Sequence, residues 1–117
     1  MVKPKKGRRL GSSPSHQKAI TANLAISLLE HNRIKTTDAK AKRVKALIDK
    51  LIVLGKKNDL NSKRKVLAIL RHNREAVRKL FDDIAPRYHH KDSGFVRIIK
   101  VGPRYGDSAP MVFVELI

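Results

Sequence analysis

The spacing of apolar residues changes once along this chain, and that change limits the folds open to it. Up to Ile84 the apolar residues recur every three to four positions, as on helices. After the turn-rich stretch RYHHKDSG, residues 87–94, they run in two short strand-like blocks, FVRIIKV (95–101) and MVFVELI (111–117). Helices followed by late strands predict an α+β domain. The second block is apolar on both faces. Between the blocks lies GPRYGDSAP, a nine-residue loop with two Gly and two Pro, so the strands are expected to form an antiparallel hairpin.

The helical part divides at its caps. Ser13 followed by Pro14 starts a first helix, with Ile20, Leu24, Ala25 and Leu28 at helical spacing up to about Glu30. Ile34 and two threonines allow a brief strand over Arg33 to Thr36. Thr37 and Asp38 open the best-patterned helix, with Ala41, Val44, Leu47, Ile48, Leu51 and Ile52 in one stripe and Gly55 as its expected end. Asp59 or Asn61 caps a third helix through Val66, Leu67 and Leu70. Asn73 starts a fourth, with Val77, Leu80, Phe81 and Ile84 on one side, closed before Pro86. The expected architecture is four helices packed on a small sheet over residues 14–117. Residues 1–13, basic, free of acids and poor in apolar groups, form an extended arm.

Charge points to the partner. Twenty-seven lysines and arginines oppose ten acids, a formal net charge of +17. Such a domain repels itself until a polyanion neutralises it, and nucleic acid does so by releasing its condensed counterions. Aromatics make up only 4% and Trp is absent, so phosphate contacts rather than stacking must carry the binding. With no cysteine, thiolate–zinc sites, zinc fingers and cysteine nucleophiles are excluded. No apolar run approaches the roughly 20 residues needed to cross a bilayer. The first 13 residues lack a signal peptide's apolar core, and Pro4, Gly7 and Gly11 interrupt the helix a transit peptide needs. A cytoplasmic protein without membrane, cofactor or small-molecule substrate is expected.

Catalytic patterns are weak. None of His16, His31, His72, His89 and His90 stands four residues from another on an expected helix, and no metal site is expected. Asp82 and Asp83 diverge by about 100° around a helix axis, so they read as a solvent-facing pair. Three basic groups stand out instead. The arm and the helix start after it carry Lys3, Lys5, Lys6, Arg8, Arg9, Ser13, His16 and Lys18. Lys35, Thr36, Thr37, Lys40, Lys42 and Arg43 place cations and hydroxyls beside a helix N-terminus, whose free N–H groups suit phosphate. Arg97, Lys100, Arg104 and Tyr105 offer a guanidinium fork and a ring on the hairpin and its loop. Lys50, Lys56, Lys57 and Lys79 read as ordinary solvated helix positions.

The strings IKTTDAKAKRVKALIDKLI, RHNREAVRKLFDDIAPRY and GFVRIIKVGPRYGDSAPMVFVELI resemble the bacterial large ribosomal subunit protein seventeen family, in order and spacing over nearly the whole chain. The start KGRRLGSSPSHQKAITANLA is also similar, although the chain opens MVKPKK, where many members begin Met-Arg-His, and has Gln17 where many have Arg. The resemblance implies a non-catalytic protein bound to large-subunit rRNA near the nascent-chain exit tunnel, among neighbouring ribosomal proteins. It implies RNA contacts from Lys3 to Lys18, Lys35 to Arg43 and Arg97 to Tyr105. Taken from the residues alone, a small basic DNA-binding architectural protein is the alternative. It would need a recognition helix with base-reading side chains, and no helix here offers a clear one.

Overall fold

The computed structural model describes residues 14–117; the arm, including the cap expected at Ser13, lies outside the described residues. Helix α1 spans Pro14–His31 and ends at Asn32, whose positive φ of 63° turns the chain directly into strand β1, Arg33–Thr37. Helix α2 follows without a loop over Asp38–Lys57, and α3 (Leu60–Ile69) and α4 (Arg74–Lys79) come next. The helical path then widens into a π turn over Leu80–Ile84, where the Ala85 N–H donates to the Leu80 carbonyl, and closes in a 3-10 turn over Ala85–Tyr88. Strands β2 (Val96–Pro103) and β3 (Pro110–Leu116) complete the chain.

The expected hairpin forms, and β1 joins it. Sheet order is β1-β3-β2, both pairs antiparallel, with a bulge between Lys100 and Gly102. The last strand is therefore the central one, paired along both of its edges. Ile34, Val112, Val114, Val96 and Ile98 share the face turned to the helices. The stripe of α2 packs there, with Ala41, Val44, Ile48, Leu51 and Ile52 fully buried. Leu28 and Leu29 of α1, Val66 of α3, and Leu80 and Ile84 of the π turn complete the core.

Caps fix the helix ends. The Ser62 N–H donates to Asp59 Oδ1 at 2.6 Å, so Asp59 rather than Asn61 caps α3 and its carboxyl is held below the usual range. The Ala76 N–H donates to Asn73 Oδ1 at 3.0 Å and starts α4. Gly55 corrects the sequence reading. Helix α2 runs past it to Lys57 and stops at Asn58, in the left-handed region (φ 50°). Gly55 is buried inside the helix because α2 meets the 3-10 turn there; a Cβ on Gly55 would stand 2.9 Å from the Ala85 Cβ.

Candidate nucleic-acid interface

The basic residues singled out in sequence divide differently in space. Lys3, Lys5, Lys6, Arg8, Arg9 and Ser13 lie outside the described residues. His16 and Lys18 are exposed at the start of α1. In the second group, Lys35 points outward from β1 while Thr36 faces the helices and is buried. Thr37 occupies the cap position of α2 without a side-chain hydrogen bond to the helix. Lys40 is half-buried, and Lys42 and Arg43 are exposed. The helix end itself is compensated, because Asp38 sits in the first turn and pairs with Lys42 at 3.4 Å.

Two surfaces emerge. The first is the outer face of the sheet. Register places Arg33, Glu115 and Arg97 in one row across the three strands, and Lys35, Phe113 and Ile99 in the next. Thus Lys35 and Arg97, from different sequence groups, share a face. Glu115 accepts from Arg97 Nε at 2.7 Å and also pairs with Arg33 at 3.6 Å. The Arg33 guanidinium lies over the Phe113 ring, 3.8 Å from its centroid. One carboxylate thus restrains two arginines. Lys100 is exposed but shares the alternation of the opposite face.

At the hairpin tip the guanidinium fork is already engaged. Arg104 Nε donates to Asp107 Oδ1 at 3.0 Å, and the second pair of the fork joins Nη2 to Oδ2. The Asp107 carboxyl is pulled down to about 2, chiefly by this hydrogen bond and then by the Ala109 N–H, and the same bond raises Arg104. Tyr105 beside it is completely exposed. Its ring is open for stacking, whereas the fork is spent on closing the loop.

The second surface is a groove of about 840 Å³ bounded by α1, α2 and the α3–α4 turn. Lys18, Arg43, Lys50 and Arg71 line it together with apolar side chains, and no carboxylate does. Lys50, which looks like an ordinary solvated lysine in sequence, is therefore part of a concave basic site. Arg71 carries no sequence signal, because it enters the groove only through the fold of the turn between α3 and α4. Lys56, by contrast, donates to the Lys91 carbonyl and sits 5.6 Å from the Phe95 ring centroid, a structural role.

Four acids, Glu30, Glu75, Asp82 and Asp83, gather instead around a separate depression shared with Arg78 and Lys79. Among the described residues no group of three or more His, Asp or Glu could hold a metal ion, and no helix is long and apolar enough to cross a membrane.

The profile for ribosomal protein L17 matches residues 20–117 of this chain. The "Large ribosomal subunit protein bL17" of Syntrophotalea carbinolica (strain DSM 2380 / NBRC 103641 / GraBd1) is 48% identical over 113 residues, covering 97% of this chain and 72% of that protein. The profile takes in all three strands and nearly every described helical residue, so the folded part as well as the sequence strings falls within the match. This chain belongs to the ribosomal protein L17 family.

Proposed function

We propose that the protein is a structural constituent of the large ribosomal subunit in the cytoplasm, where it binds and stabilises rRNA near the nascent-chain exit tunnel beside neighbouring ribosomal proteins and carries out no reaction. Family membership carries the reading, and the placement of charge supports it. The chain bears +17, and its groove holds four cations with no carboxylate among the lining. In this reading residues 1–13 act as a basic arm on a single domain, 14–117. The arm, Lys18, Lys35, Lys40, Arg43, Lys100 and Tyr105 meet RNA directly. Lys42, Arg97 and Arg104 do so only so far as Asp38, Glu115 and Asp107 release them. Shape and backbone contacts dominate, since A-form helices hide their base edges and aromatics are scarce.

Sucrose-gradient sedimentation of cell lysate tests this. The protein should travel in stoichiometric amount with the large subunit and withstand moderate salt. A soluble peak, or migration with DNA, would refute the assignment. In competition between tagged copies, Arg8→Ala with Arg9→Ala should lower incorporation more than Lys57→Ala with Lys65→Ala. Both lysines are exposed and lie outside the groove. Equal incorporation would refute the role given to the arm.

A further inference from the structure

We propose that the groove between α1, α2 and the α3–α4 turn receives an unpaired rRNA nucleotide, with its phosphate held by Lys18, Lys50 and Arg71 and its base lying on the apolar floor. The inference rests on the rRNA-binding reading above and names the part of the RNA this surface takes.

Shape selects the ligand first. The groove's 840 Å³ falls within the roughly 300–1,000 Å³ typical of sites for small organic groups. A duplex presents a broad convex surface and hides its base edges, whereas a nucleotide from a loop or bulge can be splayed out and enclosed. Chemistry agrees with shape. Ala22, Leu47 and Ile69 supply a floor of methyl groups, and the short side chains of Ala46 and Ala68 leave the space above it open. No aromatic ring lines the groove, so the base rests on these methyl groups rather than on a stacking ring. Among the described residues no carboxylate pairs with Lys18, Lys50 or Arg71. An acidic protein segment would need a run of carboxylates to match these cations, while RNA brings a phosphate with every residue. The groove also reaches Pro14, the first described residue, directly after a segment with five cations in the sequence.

The backbone at Arg71 points the same way. Helix α3 ends in a Schellman turn: the His72 N–H donates to the Leu67 carbonyl at 2.8 Å and the Arg71 N–H to the Ala68 carbonyl at 3.2 Å. The residue after the cap in such a turn is left-handed and is usually Gly. Here it is Arg71, at φ 55°, followed by His72 at φ 63°. The fold accepts strain where Gly would remove it, and what it gains at that position is a guanidinium on the groove.

The test follows from that trade. Arg71→Gly and Ala46→Trp would be made in the full chain. Each would be measured for urea unfolding and for binding to transcribed large-subunit rRNA, with 2′-OH acylation probing of the RNA. Arg71→Gly should raise the urea midpoint yet weaken binding at least fivefold, opposite signs that a purely structural residue would not give. Ala46→Trp, at an exposed helix position, should leave the midpoint nearly unchanged and weaken binding at least tenfold. It should also alter acylation at one unpaired nucleotide. Lys57→Ala with Lys65→Ala should bind within twofold of the parent. Binding by Ala46→Trp within twofold of the parent would overturn the groove assignment while leaving rRNA binding intact. So would a photo-crosslinker at Ala68 that captures a protein rather than RNA in assembled subunits. Failure of the parent chain to bind the rRNA would overturn both.

Discussion

Gly55→Ala sets two well-characterised effects against each other, and the structure decides the sign. In a helix interior alanine is favoured over glycine by about 1 kcal/mol, so propensity alone predicts a more stable protein. The new methyl, however, would meet the Ala85 Cβ at 2.9 Å and Leu80 Cγ at 3.4 Å. Carbon atoms prefer separations of about 3.5–4.0 Å. The Ala85 methyl is fixed to its backbone and cannot rotate away, so α2 must shift from the turn that carries Leu80, Ile84 and Ala85. Overpacking of this kind costs about 1–3 kcal/mol. The net expectation is a loss of about 1 kcal/mol. With a urea slope near 2 kcal/mol/M, that lowers the unfolding midpoint by about 0.5 M. Ala85→Gly removes the opposing methyl, so combining it with Gly55→Ala should restore about 1–2 kcal/mol relative to the sum of the single changes. Urea titrations of the four proteins followed by circular dichroism measure all these quantities. A Gly55→Ala protein at least as stable as the parent would refute the argument, as would a cycle with no coupling.

The two compensated arginine sites give further expectations. Glu115→Gln keeps the side chain's shape but frees Arg33 and Arg97. Filter binding should show tighter rRNA binding and a steeper salt slope, by about 0.7–0.9 for each added phosphate contact, with less than about 1 kcal/mol lost in stability because both arginines are more than half exposed. Weaker binding would show that Glu115 positions these arginines rather than restraining them. For Asp107, whose carboxyl lies near 2 in the folded loop against 3.8 unfolded, the ion pair's contribution is full above about pH 4 and is lost as pH falls through about 2. Carboxyl NMR titration should place its midpoint near 2, and Arg104→Ala should return it towards 3.8. An unchanged midpoint would show that Arg104 is not the cause.

Local pattern was enough for the elements whose partners are close in sequence. Five of the six stripe residues of α2 are fully buried, and the late strands pair through their own loop. Long-range pairing was not readable. Nothing near Arg33–Thr37 announces that it joins β3, some eighty residues on, and the apolar block 111–117 suggested only its hairpin partner. Gly55 misleads because a glycine after an apolar stripe usually ends a helix; its actual cause, the turn at Ala85, lies thirty residues away. The groove was invisible for the same reason. Lys50 and Arg71 sit on different elements, and only the packing of α3 against α2 brings them together. Likewise Arg97 and Arg104 look uncommitted in sequence until the register supplies Glu115 and the loop closure supplies Asp107.

These pairings show why the net charge of +17 says less about binding than its distribution does. Four of the ten acids, Glu30, Glu75, Asp82 and Asp83, ring one depression, and three more, Asp38, Asp107 and Glu115, are each matched to cations beside them. Helix α1 reaches both the groove and the acidic depression, through Lys18 near its start and Glu30 near its end. Twelve residues at about 1.5 Å each separate these two positions by about 18 Å. The Debye length at physiological salt is about 8 Å, so the carboxylates at one end of α1 do little to screen the cations at the other. The outer sheet face differs, because Glu115 is in direct contact with both its arginines and reduces the field at that spot. The cations of the groove are therefore screened little by the acidic depression, whereas the arginines of the outer sheet face carry their counter-charge in direct contact.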